Sequence, residues 1–243
     1  MKKSKKIIIV LILLFIVGII YFIFRDYGVT YLFFDYDNVI KIRNENYKKI
    51  KINKVKRLNY SKASLLTKEN TIEGYIGIDD KEYKVNFYDE NMNKNNDGII
   101  KIGNLNLTNK SNLITNKITE KDLGVINDII TDNEIDIDRG YITKAKLNDR
   151  QTIYSVLDYA SDHIVSTIVI KDSNNDDIVV YDKNITDFKQ NYSKLSGIIT
   201  FENDMYPILI LSSITPDTDN GQCSSIYTYN TKLNKYEPKI NCE

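Results

Sequence analysis

Three short loops rich in Asn and Asp come nearest to metal chemistry. Asn93, Asn95 and Asp97 set oxygen donors at alternate positions ahead of Gly98 and Ile100, as in the first half of a calcium loop. The twelfth position is Asn104 rather than a bidentate glutamate, and one carboxylate is a weak counter-charge for calcium. Asp172, Asn174 and Asp176 make a second alternating set, with Asp177 where the glycine belongs, and Asp217, Asp219 and Gly221 make a third. Asn, Asp and Gly are also what tight turns between strands require. The expectation is plain turns and no cofactor, with calcium as the competing reading.

The single histidine, His163, has Asp158, Ser161 and Asp162 as sequence neighbours. A serine nucleophile and a histidine base must converge from separate parts of a fold, and no Gly-x-Ser-x-Gly elbow is present. No phosphate-cradling glycine loop or dinucleotide fingerprint appears either. No catalytic residue, cofactor-binding residue or metal ligand is therefore assigned. The 33 acidic residues leave a hydrolase built on a carboxylate pair as the enzymatic alternative.

The two cysteines, Cys223 and Cys242, lack Cys-x-x-Cys spacing. If Thr231, Lys232, Leu233 and Asn234 form a loop, Asn230 faces Lys235, Tyr229 faces Tyr236, Tyr227 faces Pro238 and Cys223 faces Cys242. Directly opposed strand residues have Cα atoms about 4.5–5.5 Å apart, near the range a disulfide bridges. The predicted site is a Cys223–Cys242 disulfide, closing a loop of about 20 residues and stabilising the fold by roughly 3 kcal/mol. Two unpaired buried thiols are the alternative.

These groups are held by a body that follows an apolar leader. Ile7 to Phe24 carries no charge, and Lys2, Lys3, Lys5 and Lys6 precede it. As a helix rising about 1.5 Å per residue, the run reaches roughly 27 Å, close to the ~30 Å apolar thickness of a bilayer. It ends in Tyr21, Phe22, Ile23, Phe24, Arg25 and Asp26, with no small-x-small cleavage site, so it reads as an uncleaved anchor rather than a removed signal peptide. The lysines ahead of the span place the amino terminus in the cytoplasm and the rest outside it. Gly18, the span's only small residue, supplies no small-xxx-small packing motif.

The expected divisions are a cytoplasmic tail over 1–6, a transmembrane anchor over 7–24, a β-rich region over 25–132 ending in a helix, and a second β-rich region over 133–243 carrying the cysteine hairpin. Removing the five bases before Asp26 from the total of 33 leaves 28 bases against 33 acids. A mildly acidic body of this kind excludes nucleic acid as a partner. Lys41 to Arg57 departs from that balance, with Glu45 as its only acid. Ile50, Ile52 and Val55 between its charges read as a strand with a solvated face; anionic lipid or a polyanionic wall polymer is the competing partner.

Eighteen tyrosines and many isoleucines against three alanines (Ala63, Ala145 and Ala160) favour strands over helices. The fold class is mainly β, bordering on a β-rich α+β fold, with an antiparallel-sheet body and one or two short helices. Strands are predicted over 30–34, 50–55, 99–102, 153–157, 164–170, 178–181, 197–201 and 207–211. A two-residue turn at Asp79 and Asp80 would pair Ile78 with Lys81, Ile76 with Tyr83, Gly74 with Val85 and Ile72 with Phe87. Thr119 opens one helix in a capping-box pattern, with Leu123, Ile126, Ile129 and Ile130 at helical spacing. Phe188, Tyr192 and Leu195 have the spacing of a second helix after Thr186.

Lys146, Leu147, Asn148 and Asp149 before Ile153–Leu157, then Pro207–Leu211, the Asp217–Gly221 loop and Ser225–Tyr229, give the carboxy-terminal half a resemblance to FG-GAP or VCBS-type β repeats. Such repeats occur in secreted and membrane-anchored bacterial proteins. The resemblance implies a binding or scaffolding module, with an envelope protein or wall polymer as partner. No complete Asp-x-Asp-x-Asp-Gly loop is present. The expected protein is thus a single-pass, extracytoplasmic binding or structural module of the cell envelope; a tethered hydrolase or a component of an export or conjugation apparatus is the alternative.

Overall fold

The computed structural model describes residues 15–17, 28–34, 38–79, 81–82, 84–129, 140–159, 163–186, 190–202, 206–214 and 223–242. The predicted span over 7–24 lies outside these residues except for 15–17, which are helical. Among the described residues no helix is long and apolar enough to cross a membrane.

Among the described residues, three antiparallel sheets and one α-helix make the body, which is mainly β. The first sheet contains β1 (Val29–Phe34), β2 (Asn38–Arg43), β3 (Asn46–Ile50), β4 (Lys62–Leu66), β5 (Thr71–Ile78), β6 (Val85–Asp89), β7 (Lys94–Asn95) and β8 (Ile99–Ile102), ordered β3-β2-β1-β8-β4-β5-β6-β7. β9 (Leu107–Asn109) leaves it, and α1 (Glu120–Ile129) follows. A second sheet is the meander β10 (Gly140–Lys146), β11 (Gln151–Tyr159), β12 (Ile164–Asp172) and β13 (Ile178–Ile185). The third runs β14 (Tyr192–Phe201), β15 (Ile208–Ile214), β16 (Cys223–Asn230) and β17 (Lys235–Ile240), with β9 added at the edge of β14.

The strand period of two sorts the side chains into layers. One face of the first sheet, with Tyr31, Phe33, Leu65, Ile76 and Phe87, packs beneath a 3-10 helix over Ile52–Leu58. Its other face sets Leu32, Phe34, Ile40 and Ile42 against Ile199, Phe201, Ile208 and Ile226 of the third sheet. The third sheet's opposite face, with Leu195, Ile198, Leu209 and Leu211, meets Ile153, Ile168 and Ile170 of the second sheet. Ile126 of α1 covers the far side of that sheet, against Ile142, Tyr154 and Val156. Burying each such large apolar side chain contributes roughly 1.5–3 kcal/mol before the cost of chain ordering.

Both faces of the third sheet are therefore covered, and this corrects the helix expected after Thr186. Tyr192 and Leu195 belong to β14, none of whose residues is exposed, because each face of the strand has a core to fill. Phe188 lies outside the described residues. The strand expected over 50–55 is also corrected: Ile52, Val55 and Leu58, all buried, recur at the three-residue period of a 3-10 helix, and β3 ends at Ile50.

Two registers differ from expectation. In the β5–β6 hairpin Ile78 pairs with Val85 and Ile76 with Phe87, so the loop is longer than two residues. The Asp79 carboxylate accepts the Lys81 and Glu82 N–H groups at 2.7 and 3.1 Å, which stabilises that wider turn. The four-residue slip is even, so Ile76, Ile78, Val85 and Phe87 still share the buried face. In the carboxy-terminal hairpin Asn230–Lys235, Tyr229–Tyr236 and Tyr227–Pro238 pair as predicted, around a loop over 231–234. The register then shifts, and Ile226 pairs with Ile240. Pro238 has no N–H to give the ladder, and a bulge next to it absorbs one residue. Cys223 opens β16 and Cys242, which is disulfide-bonded, follows β17.

α1 is locked by its first turn. Thr119 and Asp122 form a reciprocal box: the Thr119 N–H donates to Asp122 Oδ2 at 2.8 Å, and the Asp122 N–H donates to Thr119 Oγ1 at 3.3 Å. Asp122 also accepts the Lys144 ammonium from β10 and the Tyr154 hydroxyl from β11, the latter at 2.9 Å. Burial opposes its charge, but these donors outweigh burial and hold the carboxyl well below the ordinary carboxylate range.

Candidate functional site

The tyrosines that end β16 and begin β17 form the floor of a surface groove. The Tyr206 ring stacks on Tyr229 with centroids 3.7 Å apart and 27° between planes. Tyr236 meets Tyr206 edge-on at 6.5 Å and Tyr229 at 5.5 Å. Buried Tyr236 donates its hydroxyl to the Pro207 carbonyl at 3.0 Å, and the Tyr229 hydroxyl donates to Asn234 in the hairpin loop. The half-buried Tyr206 is the ring on which the surrounding clefts meet.

One cleft, of about 430 Å³, runs from Tyr206 along Asn148, Asp149, Arg150 and Gln151 to Asp172 and Asn175. A second, of about 510 Å³, is bounded by Ser173, Asn174, Asp176, Ile178 and Asn234. A third, of about 80 Å³, reaches Glu45, Tyr47 and Thr231. The groove thus collects the β10–β11 loop, the β12–β13 loop, the β16–β17 loop and the tip of β2–β3 around one aromatic ring.

Its polar rim is fixed by its own hydrogen bonds. Asn148 Oδ1 accepts the Arg150 and Gln151 N–H groups, both at 2.9 Å, and the Gln151 amide donates to Asp172 Oδ2 at 2.8 Å, joining the two loops. Asp172 Oδ1 accepts the Asn174 N–H at 3.0 Å. Backbone and side-chain donors, Asn174 first and then Gln151, hold Asp172 below the usual carboxylate range, and Lys146 does the same for Asp149. Burial, with Tyr206 beside it, pushes Tyr229 up to about 12, and burial raises Tyr236 well above its ordinary value. At neutral pH the phenols stay protonated and the two aspartates ionised, so the site offers donors, acceptors and an aromatic surface.

The sequence-predicted chemistry is distributed differently. Asp172, Asn174 and Asp176 are in the groove, as are Asn148 and Asp149, although Asp177 is spent on Lys171. The Asn93–Asp97 segment serves as turns: Asn93 donates to Asp89 from both N–H and amide, and Asn95 Oδ1 accepts the Asp97 N–H at 3.0 Å. Asp217, Asp219 and Gly221 lie outside the described residues, as do Ser161 and Asp162. Among the described residues no cluster of three or more His, Cys, Asp or Glu is arranged to hold a metal ion. His163 stands just before β12, half-buried, and Asp158 lies within β11 opposite Val165.

Tyr206, Tyr47, Glu45, Arg150 and Asn234 escape sequence reasoning because they converge from remote segments. Only the Tyr229–Tyr236 pair is visible as a cross-strand aromatic contact. Glu45 carries a structural signal of its own: with Asn44 it forms a two-residue turn in which both residues are left-handed, at φ 47° for Asn44 and 59° for Glu45. Asn tolerates that region, whereas glutamate does not favour it. No known protein family, curated protein or solved structure matches the chain.

Proposed function

We propose that this is a single-pass, membrane-anchored binding module of the cell envelope, and that the Tyr206 groove takes a neutral, hydroxyl-rich polymer. The anchor is the uncharged run from Ile7 to Phe24, and the body is exported. The observation that carries the ligand class is Tyr206 itself, a partly exposed ring at the junction of clefts lined by Asn, Gln, Asp and Arg side chains. An aromatic face packs on the C–H surface of a sugar ring, and planar amides and carboxylates satisfy its hydroxyls.

The charge of the rim favours a neutral polymer over a polyanion, since Asp149, Asp172, Asp176 and Glu45 stand against Arg150. The same groups support binding over hydrolysis. A glycosidic acid catalyst needs a carboxyl raised toward neutrality, and Asp149 and Asp172 are held low. The two consecutive meanders, β10–β13 and β14–β17, serve in this reading as worn FG-GAP or VCBS-type units that display loops at one end. Cys223 and Cys242 form the disulfide that closes the last hairpin.

Affinity electrophoresis of the full chain in detergent, through gels containing neutral or anionic envelope polysaccharide, tests the proposal. Retardation by the neutral polymer, lost in Tyr206→Ala, is expected. Equal mobility with and without polymer, or equal retardation of the variant, overturns it.

A further inference from the structure

β2 and β3 place Lys41 directly opposite Lys48, and Arg43 opposite Asn46, on one face of a hairpin. Like charges facing each other across strands destabilise a sheet unless something else occupies the space between them. Together with Asn44 and Asn46 these three cations line a cleft of about 390 Å³. Among the described residues no carboxylate pairs with Lys41, Arg43 or Lys48. The hairpin's other face, with Ile40 and Ile42, is buried against the third sheet, so the cationic face is turned away from that core.

The register of β1 adds a second, independent constraint. Val29 pairs with Arg43 and Tyr31 with Lys41, so the hairpin tip lies at the end of the sheet where the chain enters from Gly28. Phe24, the last uncharged residue of the anchor, is four residues before Gly28, a tether of at most roughly 14 Å when fully extended. Whatever bilayer holds Phe24 therefore lies within reach of Arg43.

We propose that the β2–β3 hairpin docks on anionic lipid headgroups, with Lys41, Arg43 and Lys48 as the contacting cations. This rests on the membrane-anchored reading above. Juxtamembrane cations gain about five-fold in association each near an anionic leaflet, an effect confined to roughly 10 Å at moderate salt. Docking also sets the orientation of the body. Glu45 at the hairpin tip rims the Tyr206 groove, so the groove would open beside the membrane surface and take polymer that lies close to it.

Amine-reactive footprinting tests the proposal on the full chain in nanodiscs of phosphatidylcholine alone or mixed with phosphatidylglycerol. Lys68, exposed in the β4–β5 turn, pairs through its strands with the opposite end of β1 and serves as the distal reference. Lys41 and Lys48 are expected to label at least about five-fold more slowly in the anionic discs, Lys68 equally in both, and high salt to abolish the difference. Equal labelling of Lys41 and Lys48 in the two lipids, or protection that survives high salt, overturns headgroup docking while leaving the anchor intact. A chain that fails to co-purify with either disc overturns the anchored reading itself.

Discussion

Tyr206 and Tyr229 stack at 3.7 Å although 22 intervening positions and the whole of β15 separate them, and three clefts meet on the Tyr206 ring. Because Tyr206 is partly exposed while Tyr236 is buried, the two rings separate binding from stability. Tyr206→Ala should weaken polymer binding by about 2 kcal/mol, roughly thirty-fold, as expected for a central aromatic anchor. Tyr236→Phe removes only the hydroxyl given to Pro207, and should cost about 1 kcal/mol of stability with binding retained. Urea denaturation and affinity electrophoresis of both variants check the division.

Glu45 holds a left-handed backbone in a turn where glycine would be at ease. Glu45→Gly should therefore stabilise the fold by about 1 kcal/mol while weakening binding, because the carboxylate at the groove's rim is lost. A rise in the urea midpoint together with a weaker retardation would show the trade. Unchanged binding would remove Glu45 from the site.

Asp122 predicts the acid limb of the stability curve. Its folded value is depressed, so its contribution is complete above the unfolded value near 3.9 and is lost as the pH falls through the folded value. Asp122→Asn should flatten that limb and cost about 3 kcal/mol at neutral pH, since Lys144 is left partly buried without its carboxylate. Tyr154, raised to about 12 by burial and by Asp122, acts with the opposite sign: its share is complete below ~10 and is lost as the pH rises through about 12. Denaturant midpoints measured across pH, with and without the Asn substitution, read both limbs.

Two glycines forecast opposite effects of one methyl group. Gly124 lies within α1 and a Cβ there would meet nothing within 4 Å, so Gly124→Ala should stabilise by about 0.5–1 kcal/mol. At Gly74 a Cβ would stand 2.1 Å from the Tyr88 carbonyl oxygen and 2.7 Å from the Phe87 ring, and Gly74→Ala should cost about 3 kcal/mol. Thermal melts of the two variants should move in opposite directions.

Local signals were legible where one residue sufficed to state them. Thr119 and Asp122 mark the start of α1, and the alternation around Ile76 and Phe87 marks the buried face of β5 and β6. The Asp79 turn shows what alternation leaves open: faces survive an even slip, so the pattern fixes the side of the sheet but not the partner. The Lys41–Arg57 segment hides a change of period, from two in β2 and β3 to three through Ile52, Val55 and Leu58. The groove was legible only in pieces. Asn148 and Asp172 stand out as turn formers, but nothing in their spacing reveals that Gln151 ties them together or that Tyr206 lies between them.

Polymer binding and headgroup docking both require the folded body to lie outside the cytosol, where an envelope polymer and an anionic leaflet can reach it. Labelling intact producing cells with a membrane-impermeant, amine-reactive biotin reagent tests this directly, because exposed lysines such as Lys68 and Lys232 belong to the body. The full-length chain should be biotinylated in intact cells and recovered with the membrane fraction. Labelling that requires lysis, with the chain in the soluble fraction, would contradict it.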